Sequence, residues 1–110
     1  MTVIVCNTKA EYDEQLHAES NAGKLIVVDF TATWCGPCQM IGPEFKKLSD
    51  LEENQNVIFL KVDVDENSET SEACGISAMP TFQFMKNGGK VDELVGASVE
   101  ALKAKILEHK

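Results

Sequence analysis

The sequence predicts an α/β fold in which a central mixed five-stranded sheet, in the order βαβαβαββα, is flanked by four helices. Residues 25–30 are apolar and largely β-branched without alternation, which is typical of a central strand covered on both faces. Apolar residues at helical spacing follow from residue 41, and Asn87-Gly88-Gly89 between two apolar runs is a hairpin signal. Right-handed crossovers place helices on both faces, and the hairpin adds antiparallel strands to the same sheet.

The N-terminal part of the chain supplies the first two strands and the first helix. Residues 3–6 form a short apolar run suited to a strand. Thr8 and Glu11 have the spacing of a capping box, and Tyr12 with Leu16 gives the first helix a modest apolar face. The central strand at residues 25–30 follows, and Asp29 is its only carboxylate.

The middle of the chain begins with a long helix that starts near Cys35. Its inner face is formed by apolar residues at helical spacing, namely Ile41, Phe45, Leu48 and Leu51. Pro43 is expected to kink this helix and not to end it. Residues 57–64 are predicted to form a strand, and residues 67–74 a short helix that Gly75 closes.

The C-terminal part is predicted to be a hairpin followed by a helix. Residues 81–85 and 91–95 form the two strands of the hairpin. Ser98 is the expected N-cap of the last helix, whose inner face consists of Val99, Leu102 and Ile106.

Composition and charge limit the possible functions. The chain has 110 residues, 44% of them hydrophobic, so residues 1–110 are expected to form a single domain. A net charge of −8 argues against nucleic acid and anionic membranes as partners. No signal peptide and no apolar run of membrane-spanning length are recognisable, and four irregularly spaced cysteines do not form a disulfide framework. We therefore expect a cytoplasmic protein.

The chemistry of the chain is concentrated in Trp34-Cys35-Gly36-Pro37-Cys38. Two thiols at this spacing lie on one face of a helix turn and can open and close a disulfide. Pro37 suits the first turn of a helix, where the partial positive charge of the N-terminus favours a thiolate. Cys35 is therefore expected to be an exposed nucleophile.

Two other interpretations of the cysteine pair are weaker. A zinc site needs further ligands at matching spacing, and Cys6, Cys74 and the two histidines do not provide it, so no metal is expected. A permanently closed structural disulfide would enclose too few residues to add much stability. The spacing therefore favours dithiol redox chemistry.

The cysteine motif is one of several features by which this chain resembles a known family, and the others are spread along the sequence. They are Asp29 in the preceding strand, Met79-Pro80-Thr81-Phe82, Gly88 and Gly96. Together with residues 34–38, they make nearly the whole chain resemble the thioredoxin family. The resemblance implies a protein-disulfide reductase in which Cys35 attacks a client disulfide and Cys38 resolves the mixed disulfide. Gly36 would allow close approach of a client backbone, and the uncharged Pro37 favours a reductant over an oxidase or isomerase.

The resemblance also implies roles for residues outside the motif. Asp29 would accept the proton of Cys38, with Lys61 of the neighbouring strand nearby; the alternative is a carboxylate that caps a structural polar network. Trp34 would hydrogen-bond to Asp65, although packing alone would explain its presence.

The client would dock on a flat apolar rim. The resemblance implies that Met79 precedes a cis Pro80 and offers its backbone to an extended client segment, whereas the residues alone also allow an ordinary trans proline. Trp34, Gly96 and Ala97 would complete the rim.

Three positions do not follow from the family pattern. Gln39 stands where many thioredoxins carry lysine, so a positive charge beside the thiols is missing. Cys6 is expected in the core, and Cys74 is a possible accessory thiol.

The family also implies partners. No bound cofactor is expected, since electrons would come from NADPH through thioredoxin reductase. Clients would include peroxiredoxins and ribonucleotide reductase, and the protein would be a monomer. The alternative is a redox-gated module that binds proteins at the same rim without turnover.

Overall fold

The computed structural model describes residues 3–110. In chain order, the main elements of this part are β1 (Ile4–Val5), α1 (Lys9–His17), β2 (Ile26–Thr31), α2 (Gly36–Asp50), β3 (Ile58–Asp63), α3 (Ser68–Ala73), β4 (Thr81–Lys86), β5 (Gly89–Val95) and α4 (Val99–His109). Short 3₁₀ turns at Glu19–Asn21 and Glu52–Asn54 precede β2 and β3. The predicted order of strands and helices is therefore confirmed, although β1 is shorter than expected.

The five strands form one mixed sheet in the order β1-β3-β2-β4-β5. Strands β1, β3 and β2 are parallel, whereas β4 is antiparallel to β2 and β5 is antiparallel to β4. Every residue of β2 is buried, as its uninterrupted apolar sequence predicted. Within this register, Asp29 pairs with Lys61 on β3 and with Phe82 on β4.

Alternate residues of β2 contribute to two separate cores, one on each face of the sheet. One core joins Val27 to side chains of α2 and α4, including Phe45, Leu102 and Ile106. The rings of Phe45 and Phe59 meet edge to face there, with centroids 5.2 Å apart. The other core joins Val28 and its neighbours to Tyr12 and Leu16 of α1. Both faces of the central strand are therefore covered.

The predicted helix caps are present, with one difference. The hydroxyl of Thr8 accepts from the backbone N–H of Glu11 (3.1 Å), and that of Ser98 accepts from Ala101 (3.2 Å). The carboxylate of Glu11 accepts from the N–H of Asn7 (2.7 Å), whereas a capping box would place this bond on Thr8. The donor is thus one residue earlier than the pattern predicted.

The predicted long helix and the predicted short helix are both present, as α2 and α3. Leu51, which was predicted to extend the inner face of α2, instead lies just past the end of this helix and is exposed. Helix α2 continues through Pro43 without ending. Helix α3 is closed by Gly75, two residues after its last residue, which has a positive φ of 71° and donates its N–H to the carbonyl of Glu72 (3.1 Å). The N–H of Ile76 donates to the carbonyl of Ser71 (3.0 Å), and this pair of bonds is a Schellman motif.

The hairpin turn between β4 and β5 packs against the end of α1. Asn87 and Gly88 both have positive φ, at 53° and 81°, as a type I′ turn requires. The side chain of Asn87 accepts from the N–H of Gly23 (2.8 Å). A Cβ at Gly88 would lie 2.8 Å from the ring of His17, so this position needs glycine for space as well as for φ.

Candidate active site

Cys35 and Cys38 lie at the N-terminus of α2, just beyond the carboxyl end of β2. Cys35 is the N-cap residue, and a disulfide joins it to Cys38 across a Cα–Cα distance of 5.3 Å. The Sγ atom of Cys35 accepts from the backbone N–H of Cys38 (3.2 Å). Negative charge at this sulfur would therefore face a backbone donor and the positive end of the helix dipole.

The expectation that Cys35 is exposed is wrong for this disulfide-bonded structure. Cys35 is 7% exposed and Cys38 is 2% exposed. Both belong to a small buried cluster with Ala32, and half-buried Val64 and Met79 pack against it. Cover from residues distant in sequence explains the difference, although Cys35 remains the more exposed of the two cysteines.

Asp29 is a buried carboxylate with a raised pKa. Its residue is 2% exposed, and burial raises the pKa from 3.8 to about 7, while attraction to Lys61 partly opposes this rise. Its Oδ1 atom is buried and accepts no hydrogen bond within residues 3–110. Oδ1 is therefore not part of a hydrogen-bonded network, and removal from water is the main influence on the protonation of this carboxylate.

Asp29 and Cys38 line the same groove, which has a volume of about 450 Å³. Lys61, which is exposed on β3, also borders it. The remaining wall is mostly apolar, and it is formed by Val3, Val5, Thr31, Gln39, Gly42, Pro43, Phe45 and Lys46. The structure therefore brings together three of the predicted site residues: the second cysteine, the acid and the lysine.

Trp34 projects from the turn that precedes α2. Its side chain is 67% exposed, and Nε1 donates to Oδ2 of Asp65 (2.8 Å). The hydrogen bond that the family resemblance implied is therefore present. It fixes the orientation of a large aromatic surface beside the cysteines.

The segment before β4 provides the other side of the rim. The Met79–Pro80 peptide bond is cis, as the resemblance implied. Gly96, with a φ of 111°, donates its N–H to the carbonyl of Pro80 (2.9 Å), which ties the end of β5 to this segment. Ala97 is half-buried and packs against the core under α2 and α4.

Gln39 makes a contact that the sequence did not predict. Its side-chain Nε2 donates to the carbonyl of Ala32 (2.9 Å), which also accepts from the N–H of Cys35 (3.2 Å). Sequence reasoning treated Gln39 only as the absence of a lysine charge. Its position four residues after Cys35, one helical turn along, was the available signal.

The comparisons with known proteins agree with this geometry. The family model described as thioredoxin matches residues 3–108. The chain belongs to the thioredoxin family. It is 62% identical to thioredoxin of Ictalurus punctatus over 94 residues. The matched region covers 84% of this chain and 88% of that protein. It is 55% identical over 108 residues to H-type thioredoxin of Chlamydomonas reinhardtii, covering 98% and 95% of the two chains.

A solved structure shows the same fold. The crystal structure of Malassezia sympodialis thioredoxin matches with a TM-score of 0.90 and 46% sequence identity, covering 98% of this chain and 90% of that one. With its Cys35–Cys38 disulfide, this member of the thioredoxin family is a thiol-disulfide oxidoreductase with a disulfide reductase role.

The two other cysteines lie outside the disulfide cluster. Cys6 is buried in the core, as expected, and burial raises its pKa to about 11. Cys74 is half-buried, and its Sγ is 3.4 Å from the hydroxyl of Tyr12. Burial raises the pKa of Tyr12 strongly, so its hydroxyl is neutral beside Cys74.

Two further observations concern metals and membranes. Across residues 3–110, one group of His, Cys and carboxylate side chains lies close enough to share a metal: Asp92, Glu108 and His109, with ligand atoms within 4.8 Å of one another. Asp92 already forms an ion pair with Lys105 there (2.9 Å), so the ammonium group of the lysine balances the charge of the carboxylate.

Within residues 3–110, the helices are too short or too polar to traverse a bilayer.

Proposed function

We propose that the protein reduces client protein disulfides with Cys35 as the attacking thiol and Cys38 as the resolving thiol. The observation that carries this proposal is the position of the pair: Cys35 caps α2, and the less exposed Cys38 shares a groove with Asp29. The pair therefore has a helix dipole at one sulfur and a proton acceptor near the other.

The reaction starts from the dithiol form. The Cys35 thiolate attacks one sulfur of the client disulfide, which forms a Cys35–client bond and releases the first client sulfur as a thiolate. Cys38 then loses its proton and attacks the Sγ of Cys35. The Cys35–Cys38 disulfide forms, and the second client sulfur leaves. The client gains the two electrons that this protein loses. Of the two protons that convert the client sulfurs to thiols, one balances the proton lost by Cys38 and the other comes from solvent.

Asp29 is proposed as the acceptor of the Cys38 proton. A pKa of about 7 suits a group that must take up and release a proton near neutral pH. Lys61 opposes the effect of burial on this pKa, so removal of its charge is expected to raise the Asp29 pKa further.

The client is proposed to dock on the rim formed by Trp34, Met79, Pro80, Gly96 and Ala97. The exposed indole and half-buried Met79 offer apolar area, and the backbone beside the cis peptide is available for pairing with an extended segment. Gly36 lets the client backbone approach, and Pro37 adds no charge beside the thiols.

The wider setting follows from the family. The proposal is that the whole chain acts as one monomeric, cytoplasmic thioredoxin domain without a bound cofactor or metal. NADPH supplies electrons through thioredoxin reductase, and peroxiredoxins and ribonucleotide reductase are among the clients. A net charge of −8 supports protein clients over nucleic acid or anionic membranes.

A coupled assay with NADPH, thioredoxin reductase and insulin tests turnover. Wild type is expected to consume NADPH continuously, and the Cys35→Ser variant is expected to be inactive. The Cys38→Ser variant should accumulate mixed disulfides with clients, because nothing resolves the first product. Equal trapping by both variants would contradict the assignment of thiols, and client binding without NADPH consumption would favour the redox-gated binding module.

A further inference from the structure

Gln39 connects the first turn of α2 to the chain that precedes the cysteine pair. Its backbone N–H donates to the carbonyl of Cys35 (3.2 Å), which is an ordinary helical bond. Its side-chain amide donates to the carbonyl of Ala32 (2.9 Å). One residue thus binds both ends of the turn formed by residues 32–35.

That turn carries Trp34 and Cys35. The N–H of Cys35 closes the turn onto the carbonyl of Ala32 (3.2 Å), and the indole of Trp34 is held separately by Asp65. Ala32 is fully buried in the same cluster as the two cysteines. A change at the carbonyl of Ala32 would therefore be transmitted directly to the backbone of Cys35.

The Ala32 carbonyl has a double role because it accepts two hydrogen bonds. If the side-chain bond from Gln39 is lost, the Ala32 carbonyl keeps the closing bond from Cys35, but the Ala32 end of the turn is no longer fastened to α2. The backbone bond from Gln39 then holds the Cys35 end alone. The position of the Cys35 sulfur relative to the N–H of Cys38 is then less restricted. A thiolate at Cys35 depends on that donor, since an N-cap acceptor is effective only at hydrogen-bonding distance.

We propose that Gln39 is a positioning residue for the thiol chemistry: its side-chain amide holds residues 32–35 against α2 and keeps the Cys35 sulfur at the N-cap after the disulfide opens. The contribution of Gln39 is a hydrogen bond and not a charge. This inference rests on the proposed role of Cys35 as the attacking thiol.

Two substitutions separate the hydrogen bond from the charge. Gln39→Met keeps a side chain of similar length and removes the donor without changing charge. Gln39→Glu removes the donor and adds a negative charge. If the hydrogen bond is important, both variants react slowly; if only charge is important, the methionine variant reacts like wild type.

The chain offers a matched control in Gln55. Its side-chain amide also donates to a backbone carbonyl, that of Leu51 (2.7 Å), at an exposed site that is not part of the cysteine cluster. Gln55→Met therefore removes the same kind of bond and is expected to leave the thiol chemistry unchanged.

The test is the rate at which each reduced protein attacks a small symmetric disulfide between pH 5 and pH 10, in low and high salt. Loss of one neutral hydrogen bond is expected to slow the Gln39→Met protein about threefold to tenfold at pH 7. We expect a higher apparent pKa for the Cys35 thiol, with a salt dependence like that of wild type.

The outcomes distinguish this inference from the proposed function. A Gln39→Met profile that superimposes on wild type, even with a lower unfolding midpoint, would overturn the inference and leave the reductase intact. Equal slowing of Gln39→Met and Gln55→Met would also overturn it, because the effect would then be general destabilisation. A wild-type protein with no reaction would instead contradict the assignment of Cys35.

Discussion

Asp29 and Lys61 are register partners on the parallel strands β2 and β3, yet Asp29 is buried and Lys61 is exposed. The attraction of the lysine would lower the pKa of the acid, but burial raises it by more, to about 7. Desolvation therefore determines the protonation of this site, and the lysine only moderates it.

The first prediction concerns the pH dependence of stability in Asp29→Asn. Because the pKa of Asp29 is higher in the folded state, the folded protein binds the extra proton between pH 3.8 and about 7, and wild type loses stability as pH rises through this range. Asparagine avoids that loss. At pH 8 the variant is expected to be more stable by about 4 kcal/mol, since each pKa unit is worth about 1.36 kcal/mol.

Denaturant titration of the oxidised proteins at pH 4 and pH 8 measures this difference, which should nearly vanish at pH 4. Single-turnover reduction should show a slower resolving step in Asp29→Asn. Identical stability of the two proteins at both pH values, together with an unchanged resolving step, would show that ionised Asp29 neither destabilises the fold nor takes part in the reaction.

The second prediction has the opposite sign and concerns Asp92 on β5. Hydrogen bonds from Lys105 (2.9 Å) and His109 (2.8 Å) hold the pKa of Asp92 well below its usual range. Its stabilising effect is therefore present at neutral pH and is lost on acidification below about pH 4. Asp92→Asn should be less stable than wild type at pH 7, with a smaller gap at pH 3. A gap that does not depend on pH would indicate lost packing in place of lost ionic contacts.

The third prediction uses Trp34 as its own reporter, because it is the only tryptophan in the chain. Asp65→Ala removes the acceptor of the indole N–H, so the ring is expected to move more freely. Steady-state fluorescence anisotropy should fall, and KM for a protein disulfide should rise more than kcat changes. Glu66→Ala is the control, because within residues 3–110 this neighbouring acid takes part through its backbone N–H, which donates to Oδ1 of Asp63 (3.1 Å), and not through its carboxylate. Equal anisotropy in the two variants would show that packing alone orients Trp34.

The fourth prediction orders the reactivity of the free thiols in the oxidised protein. Cys74 is half-buried, whereas Cys6 is buried and its pKa is raised to about 11. Alkylation by iodoacetamide at pH 8 should therefore modify Cys74 first, as peptide mass spectrometry over time would show. Cys74→Ser is expected to retain reductase activity. Modification of Cys6 first, or of neither thiol, would contradict the accessory role of Cys74.

Features that depend on nearby residues were predictable from the sequence. The uninterrupted apolar run identified β2, and Thr8, Ser98 and Gly75 identified helix ends, because capping and turn formation involve residues a few positions apart. Asn87-Gly88 identified the hairpin for the same reason.

Features that depend on distant packing were not predictable from local pattern. Cys35 is covered by Val64 and Met79, which come from other parts of the chain, so its exposure was predicted wrongly. The bond between Gln39 and Ala32 was missed because an exposed glutamine on a helix usually points to solvent. The bond between Trp34 and Asp65 could be anticipated only through the family resemblance.

The placement of β4 beside β2 has a consequence for synthesis of the protein. Strand β2 is bordered by β3 on one side and by β4 on the other, and β4 is made after both of them. Until the hairpin has emerged from the ribosome, strand β2, which the finished fold buries at every residue, keeps one edge of unpaired N–H and C=O groups. Such an edge can pair with another chain. A pause in translation between β3 and β4 therefore prolongs the time in which this edge can pair with another newly made chain.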